Sequence, residues 1–212
     1  MDHKEQLITN GYTIIDNVLP LELALSINEA YKNNSEWEVM DQVRPDHYGH
    51  VFKCENPNLP QEGEIYTAKF KRSDYLRNSE IVKKAFDEYF VPMLKDLSPF
   101  PVDEFDIRCY KLDAGDHYRT HYDGYAGKIN IIYYVNDAWR WDWGGILNVL
   151  SSNDPDYCYP IFPKFNRVVL LNNQSFSAPH FVHLKPSIHF ILLKYALQAS
   201  SLGNSFTKLS IF

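Results

Sequence analysis

The second half of the chain is a succession of short, stiff segments. "FDIRCYKL", "KINIIYYVN", "GGILNVL", "NRVVLLN" and "SIHFILLKYAL" are rich in β-branched and aromatic residues, with Gly, Asn, Asp and Pro between them. Side chains branched at Cβ suit a pleated surface, and the breakers between the runs mark chain reversals. From residue 105 onward the chain therefore reads as an all-β half. Each strand must bury a face against another layer, so two facing sheets or a barrel are expected.

The first half follows a different pattern. "NGYTIIDNVL" reads as a short strand closing into a helix whose first turn holds Pro20, where a missing N–H costs little. Leu23, Ile27 and Ala30/Tyr31 recur at helical spacing. A second helix is expected from about Asn78, with an apolar stripe of Ile81, Val82, Ala85, Phe86, Tyr89, Phe90, Met93 and Leu94 that Pro92 should kink or interrupt. Residues 35–77 are mixed and polar, and "NPNLPQEG" is a loop signal. At 212 residues the chain suffices for one well-filled core. The expected layout is a single domain: residues 1–104 as helical support and substrate-side loops, 105–198 as the β core, 199–212 as a tail.

Composition excludes several functions. The net charge is -6 with no run of like charge, so no extended basic surface for nucleic acid is expected. No stretch approaches the roughly eighteen unbroken apolar residues of a membrane span. "MDHKEQLITNGYTII" lacks the basic start and apolar run of a secretory leader. Cys54, Cys109 and Cys158 are odd in number and irregularly spaced, which suggests neither a disulfide framework nor a zinc knuckle. A reducing, cytoplasmic setting is the expectation.

The chemistry concentrates in "HYRTHYDGYAGKINIIYYVND". In an extended segment positions i and i+2 point the same way, so His121 and Asp123 can aim an imidazole and a carboxylate at one point. Downstream, "SAPHFVHLKPSIHF" supplies His180, His183 and His189. Two imidazoles and one carboxylate suit Fe(II), holding half an octahedron and leaving positions for other ligands. A structural zinc site would close all four positions, usually with thiolates, and no cysteine is near in sequence.

The stretch from Ile107 to Leu197 resembles the Fe(II)/2-oxoglutarate dioxygenases, in particular the prolyl 4-hydroxylase-like branch. "RCYKLDAGDHYRTHYD" resembles that family's tyrosine, glycine-containing turn and H-x-D. "IIYYVNDAWRWDWGGILNVL" is similar to its aromatic strand and Gly-Gly-x-Leu. "FPKFNRVVLLNNQSFSAPHFVH" resembles its Pro-x-x-x-Arg strand leading to a distal histidine. The resemblance implies an α+β, mainly β fold with a double-stranded β-helix (a jelly roll, cupin-like) and supporting N-terminal helices. It implies His121, Asp123 and His180 as catalytic metal ligands, with His183 the rival for the third place. Fe(II), 2-oxoglutarate and O2 are the implied cofactors, with ascorbate a candidate reductant.

For 2-oxoglutarate, Tyr134 occupies the place of a tyrosine that meets the distal carboxylate, and Tyr110 that of one near the metal-side end. Asn130 shares a strand face with Tyr134. Relatives hold a basic residue about nine positions past the distal histidine, and this chain has His189 there. Three accounts follow: His189 as imidazolium, another cation such as Arg108, Lys194 or Arg72, or a pocket for a different carboxylate or none. Trp139, Trp141 and Trp143 would flank the entrance or cap the barrel. The implied activity is hydroxylation of an unactivated C–H bond, of a prolyl residue in a peptide or protein, or of a free amino acid or small metabolite. The contrasting reading is a non-catalytic jelly-roll interaction module.

Overall fold

The computed structural model describes residues 1–44, 66–102, 104–121, 129–150, 156–173, 180–184 and 188–196. Asp123, Cys54, the "NPNLPQEG" loop and the 199–212 tail lie outside the described residues. Eleven strands join one folded-over sheet: β1 (Tyr12–Asp16), β2 (Glu38–Arg44), β3 (Tyr66–Arg72), β4 (Glu104–Leu112), β5 (His117–His121), β6 (Ile129–Tyr134), β7 (Gly144–Leu150), β8 (Cys158–Ile161), β9 (Arg167–Asn172), β10 (His180–Leu184) and β11 (Ile188–Ala196). Their order is β1-β9-β6-β11-β4-β3-β5-β10-β7-β8, with β2 beside β3. β3 turns the corner, pairing with β4 through Lys71 and Arg72 and with β5 through Ala68 and Lys69. The two flanks thus face each other as a double-stranded β-helix.

Burial patterns separate the flanks. β6 and β9 are buried along their whole length, as strands covered on both faces must be. Ile129, Ile131, Tyr133, Val168 and Leu170 pack toward the helices, while Ile132, Tyr134, Val169 and Leu171 pack between the sheets. β7 instead alternates, with Leu147 and Val149 buried inward and its other face partly solvated. β8, on the outer end of this flank, carries Pro160, which lacks a backbone donor.

The helical layer comprises α1 (His3–Thr9), α2 (Leu21–Asn33), α3 (Asp74–Asn78), α4 (Glu80–Ala85) and α5 (Val91–Leu97). Pro20 stands at the N-cap of α2. The helix expected from Asn78 is interrupted, as Pro92 requires: a π-helical turn, Phe86–Phe90, separates α4 from α5. Proline lacks an N–H and its ring crowds the carbonyl four residues back, and the wider turn relieves both. Buried amides fix the layer to the sheet. Asn28 Nδ2 donates to the Val135 carbonyl at 2.6 Å. Asn166 Nδ2 donates to the Leu19 carbonyl at 2.8 Å, and the Leu19 N–H donates back to Asn166 Oδ1 at 2.9 Å.

β1, β2 and β3 show that the sheet does not begin at residue 105. The N-terminal part supplies walls as well as helical support. No helix among the described residues is long and apolar enough to cross a membrane.

Candidate active site

The corner from β4 into β5, both antiparallel to β3, is built from Asp113, Ala114, Gly115 and Asp116. The Asp116 N–H donates to the Asp113 carbonyl at 3.0 Å, and the Asp113 N–H donates to Asp116 Oδ2 at 2.8 Å. Gly115 has φ 89°, a left-handed conformation that side chains disfavour. Lys71 Nζ donates to Asp113 Oδ2 at 2.5 Å and ties the turn to β3.

β5 then runs toward His121, and the register decides what faces it. His180 of β10 is the cross-strand partner of His121, whereas His183 is the partner of His117. A bulge between these pairs lets Tyr118 oppose Val182, so three residues of β5 match two of β10. Directly opposed residues of an antiparallel pair share one face. The same row continues from His180 to Val149 and on to Tyr159. Val149 is 1% exposed and lies in the core between the sheets, which assigns this row to the inner face.

The other flank presents three inner rows across β4, β11, β6 and β9. The one nearest the His121 end runs Asp106, Lys194, Asn130, Leu171; the next runs Arg108, Leu192, Ile132, Val169; the deepest runs Tyr110, Phe190, Tyr134, Arg167. Tyr110, Tyr134 and Asn130, singled out from the sequence, thus share one wall, and all three are buried. His189 stands one residue off the Tyr110–Tyr134 row, in register with Lys111.

Tyr134 is held neutral. Burial pushes its hydroxyl well above the ordinary phenol value against an opposing pull from Arg167, so it remains a donor. Arg108 Nη1 donates to the Tyr110 hydroxyl at 3.3 Å, and Arg108 Nε donates to Asp106 Oδ2 at 2.6 Å. Burial works against the Arg108 charge, but Tyr110 and Asp106 outweigh it and its proton affinity lies above the usual guanidinium value.

Several residues of this region were not singled out in the sequence. Phe70 floors the space, edge-on to Tyr110 at 4.8 Å and stacked on Tyr118 at 4.9 Å. At the rim, the Tyr12 ring lies 5.4 Å from that of Tyr159, and its hydroxyl is 3.2 Å from that of Tyr157. The alternation of Tyr157 and Tyr159 in "YCYPI" is the period-two signal that could have flagged them.

The tryptophan insertion lies elsewhere. Gly144 pairs with Leu184 and Val149 with His180, so the segment before Gly144 sits at the opposite end of β7. That is about 17 Å along the strand from the histidine row, at about 3.3 Å per residue. There Trp139 Nε1 donates to the Gly144 carbonyl at 2.8 Å, and its ring packs 5.1 Å from Phe162. Trp139 therefore packs at the end of the barrel away from the histidine row.

The opposed histidines and the tyrosine-lined wall fit a metal centre with an adjoining carboxylate pocket. Among the described residues no cluster of three or more His, Cys, Asp or Glu could hold a metal ion, so none of them forms a rival centre. Residues 105–190 match the family model of the 2OG-Fe(II) oxygenase superfamily. Over residues 105–190 the chain is similar to the 2OG-Fe(II) oxygenases. The cofactors of this oxygenase class are Fe(II), 2-oxoglutarate and O2, and its reactions are those of dioxygenases and hydroxylases.

Solved structures of similar fold include a Pseudomonas putida prolyl-4-hydroxylase. It has a TM-score of 0.65 at 16% identity, over 93% of this chain and 98% of that one. A Trichoplax adhaerens prolyl hydroxylase, in complex with a hypoxia inducible factor oxygen degradation domain peptide fragment, has a TM-score of 0.67 at 20% identity, over 92% and 87%. HygX from Streptomyces hygroscopicus, with nickel and 2-oxoglutarate bound, has a TM-score of 0.60 at 12% identity, over 92% and 85%. A search of curated proteins gave no match.

Proposed function

We propose that this oxygenase hydroxylates an unactivated C–H bond of a prolyl residue in a peptide, with His121, Asp123 and His180 holding iron. The observation that carries the reading is the direct opposition of His121 and His180 on the inner face. Asp123 follows His121 by two residues and completes the donor set by chemistry. Bound there, Fe(II) supplies the oxidising chemistry: O2 and 2-oxoglutarate are consumed, C–H becomes C–OH, and succinate and CO2 leave.

The protein's own contribution is placement and exclusion. Tyr110 and Tyr134 offer hydroxyls to the keto acid from a buried wall, where hydrogen bonds to a carboxylate are strongest. Phe70, Ile132 and Val169 keep that wall dry. The peptide substrate is supported by the likeness to prolyl hydroxylases, one of them solved with a peptide.

Anaerobic addition of Fe(II) and 2-oxoglutarate should give a visible metal-to-ligand charge-transfer band. His121→Ala and Asp123→Ala should lose the band and reduce succinate formation to background. Undiminished turnover in both variants removes the iron triad. Iron binding that 2-oxoglutarate never perturbs would make the chain a binding module. Hydroxylation of free amino acids with none of peptides would reassign the substrate class.

A further inference from the structure

We propose that Arg108 of β4, rather than a residue of β11, receives the distal carboxylate of 2-oxoglutarate. The inference rests on the reading above that this site takes that co-substrate. A dicarboxylate between two packed sheets brings charge into a poorly hydrated space, so it needs a permanent cation with donors aimed at it.

β11 provides none in the deepest row. Phe190 stands there, the cross-strand partner of both Tyr110 and Tyr134, while His189 is in register with Lys111. Lys194 is the partner of Asp106 and Asn130, two rows nearer the His121 end.

Arg108 occupies the middle row and reaches toward the deepest one, its Nη1 donating to the Tyr110 hydroxyl at 3.3 Å. Asp106 holds the other side of the fork through Nε at 2.6 Å. Nη2 has no hydrogen-bond partner among the described residues, and the side chain is 34% exposed, so the fork is both braced and reachable. A guanidinium placed this way can give a carboxylate two parallel hydrogen bonds, with a tyrosine hydroxyl as a further donor.

Of the remaining inner-row arginines, Arg167 is fully committed and Arg72 is committed in part. Arg167 gives Nε and Nη2 to the two oxygens of Asp16 at 2.6 and 2.8 Å, and Nη1 to the Phe162 carbonyl at 3.0 Å. Arg72 gives Nη2 to Glu38 at 2.7 Å, whereas its buried Nε, 3.7 Å from Asp74, has no hydrogen-bond partner among the described residues. Asp106 acts as the positioning residue, setting the plane of the Arg108 fork.

The test is equilibrium binding to the full chain loaded with Mn(II) in place of iron, without oxygen. Two keto acids are titrated calorimetrically: 2-oxoglutarate, and 2-oxobutyrate, which lacks the second carboxylate. Wild type should favour 2-oxoglutarate strongly. Arg108→Ala should weaken 2-oxoglutarate by about thirtyfold or more while leaving 2-oxobutyrate and Mn(II) affinity near wild type. Arg108→Lys, which keeps the charge without the fork, should fall between.

A structural role for Arg108 would weaken both keto acids together, and that result overturns the proposal. So does an unchanged preference in both Arg108 variants, or loss of the preference in His189→Ala or Arg72→Ala instead. A wild-type chain that binds Mn(II) but neither keto acid overturns the oxygenase reading itself.

Discussion

Cys109 and Cys158 show how far surroundings set the behaviour of one residue type. Cys109 lies on the helix side of β4 with no exposed surface, and burial pushes its thiol up to about 12 against the opposing hydrogen bond from Tyr31. Cys158 is exposed at the start of β8. Thiolate is the reactive form, so iodoacetamide at mildly alkaline pH should label Cys158 and spare Cys109 in the native protein. Peptide mapping reads the result, and rapid labelling of Cys109 would mean that the helix layer opens. The histidines illustrate what sequence can and cannot say at this scale. H-x-D is legible because its two-residue spacing is a strand period. Spacing alone does not choose between His180 and its rival His183, because a β5 bulge shifts the register; the resemblance named His180, and the pairing sets that residue opposite His121.

Among the elements, β1 and β9 are joined by more than their ladder. Arg167 is 8% exposed, and both oxygens of Asp16 accept from its fork. That hydrogen bonding holds the Asp16 carboxyl below its usual range, against the opposing effect of burial. A carboxyl depressed on folding stabilises the protein above its unfolded value, and this contribution fades as pH falls through the folded value. With the Asp16 side chain 45% exposed and the pair partly screened by solvent, Asp16→Asn should therefore cost about 1 kcal/mol near neutrality, a drop of roughly 2–4 °C in Tm. The gap should shrink between pH 7 and pH 3 in thermal melts; a constant gap would show that the carboxylate charge is irrelevant. Strands with long β-branched runs, β4, β6, β7, β9 and β11, were legible. β2 and β3 were not, since "EVMDQVR" and "YTAKFKR" interleave charges that obscure the alternation. β5 escaped for the same reason, and β8 because four residues are too few to show a period.

For the whole molecule, the double-stranded β-helix was readable from its punctuation and its resemblance, but its starting point was not. β1 lies against β9 and β3 turns the corner between the flanks, so the wall around the site draws on residues far ahead of 105. Trimming the chain to 105–198 would strip the cover from Ile131, Tyr133, Val168 and Leu170, each fully buried. At about 1.5–3 kcal/mol per large apolar side chain, that loss is comparable to the entire stability of a typical domain, roughly 5–15 kcal/mol. The trimmed chain should lack a cooperative thermal transition by circular dichroism, where the full chain shows one; a sharp transition in the fragment would contradict this. The outermost strands carry a last consequence. Tyr12 on β1 meets Tyr157 just before β8 and Tyr159 within it, and Pro160 interrupts the donors of β8. Aromatic rings and a missing amide thus guard the β1 and β8 selvedges, which leaves β2, paired only with β3 among the described strands, as the hem onto which a stray extended polypeptide would stitch.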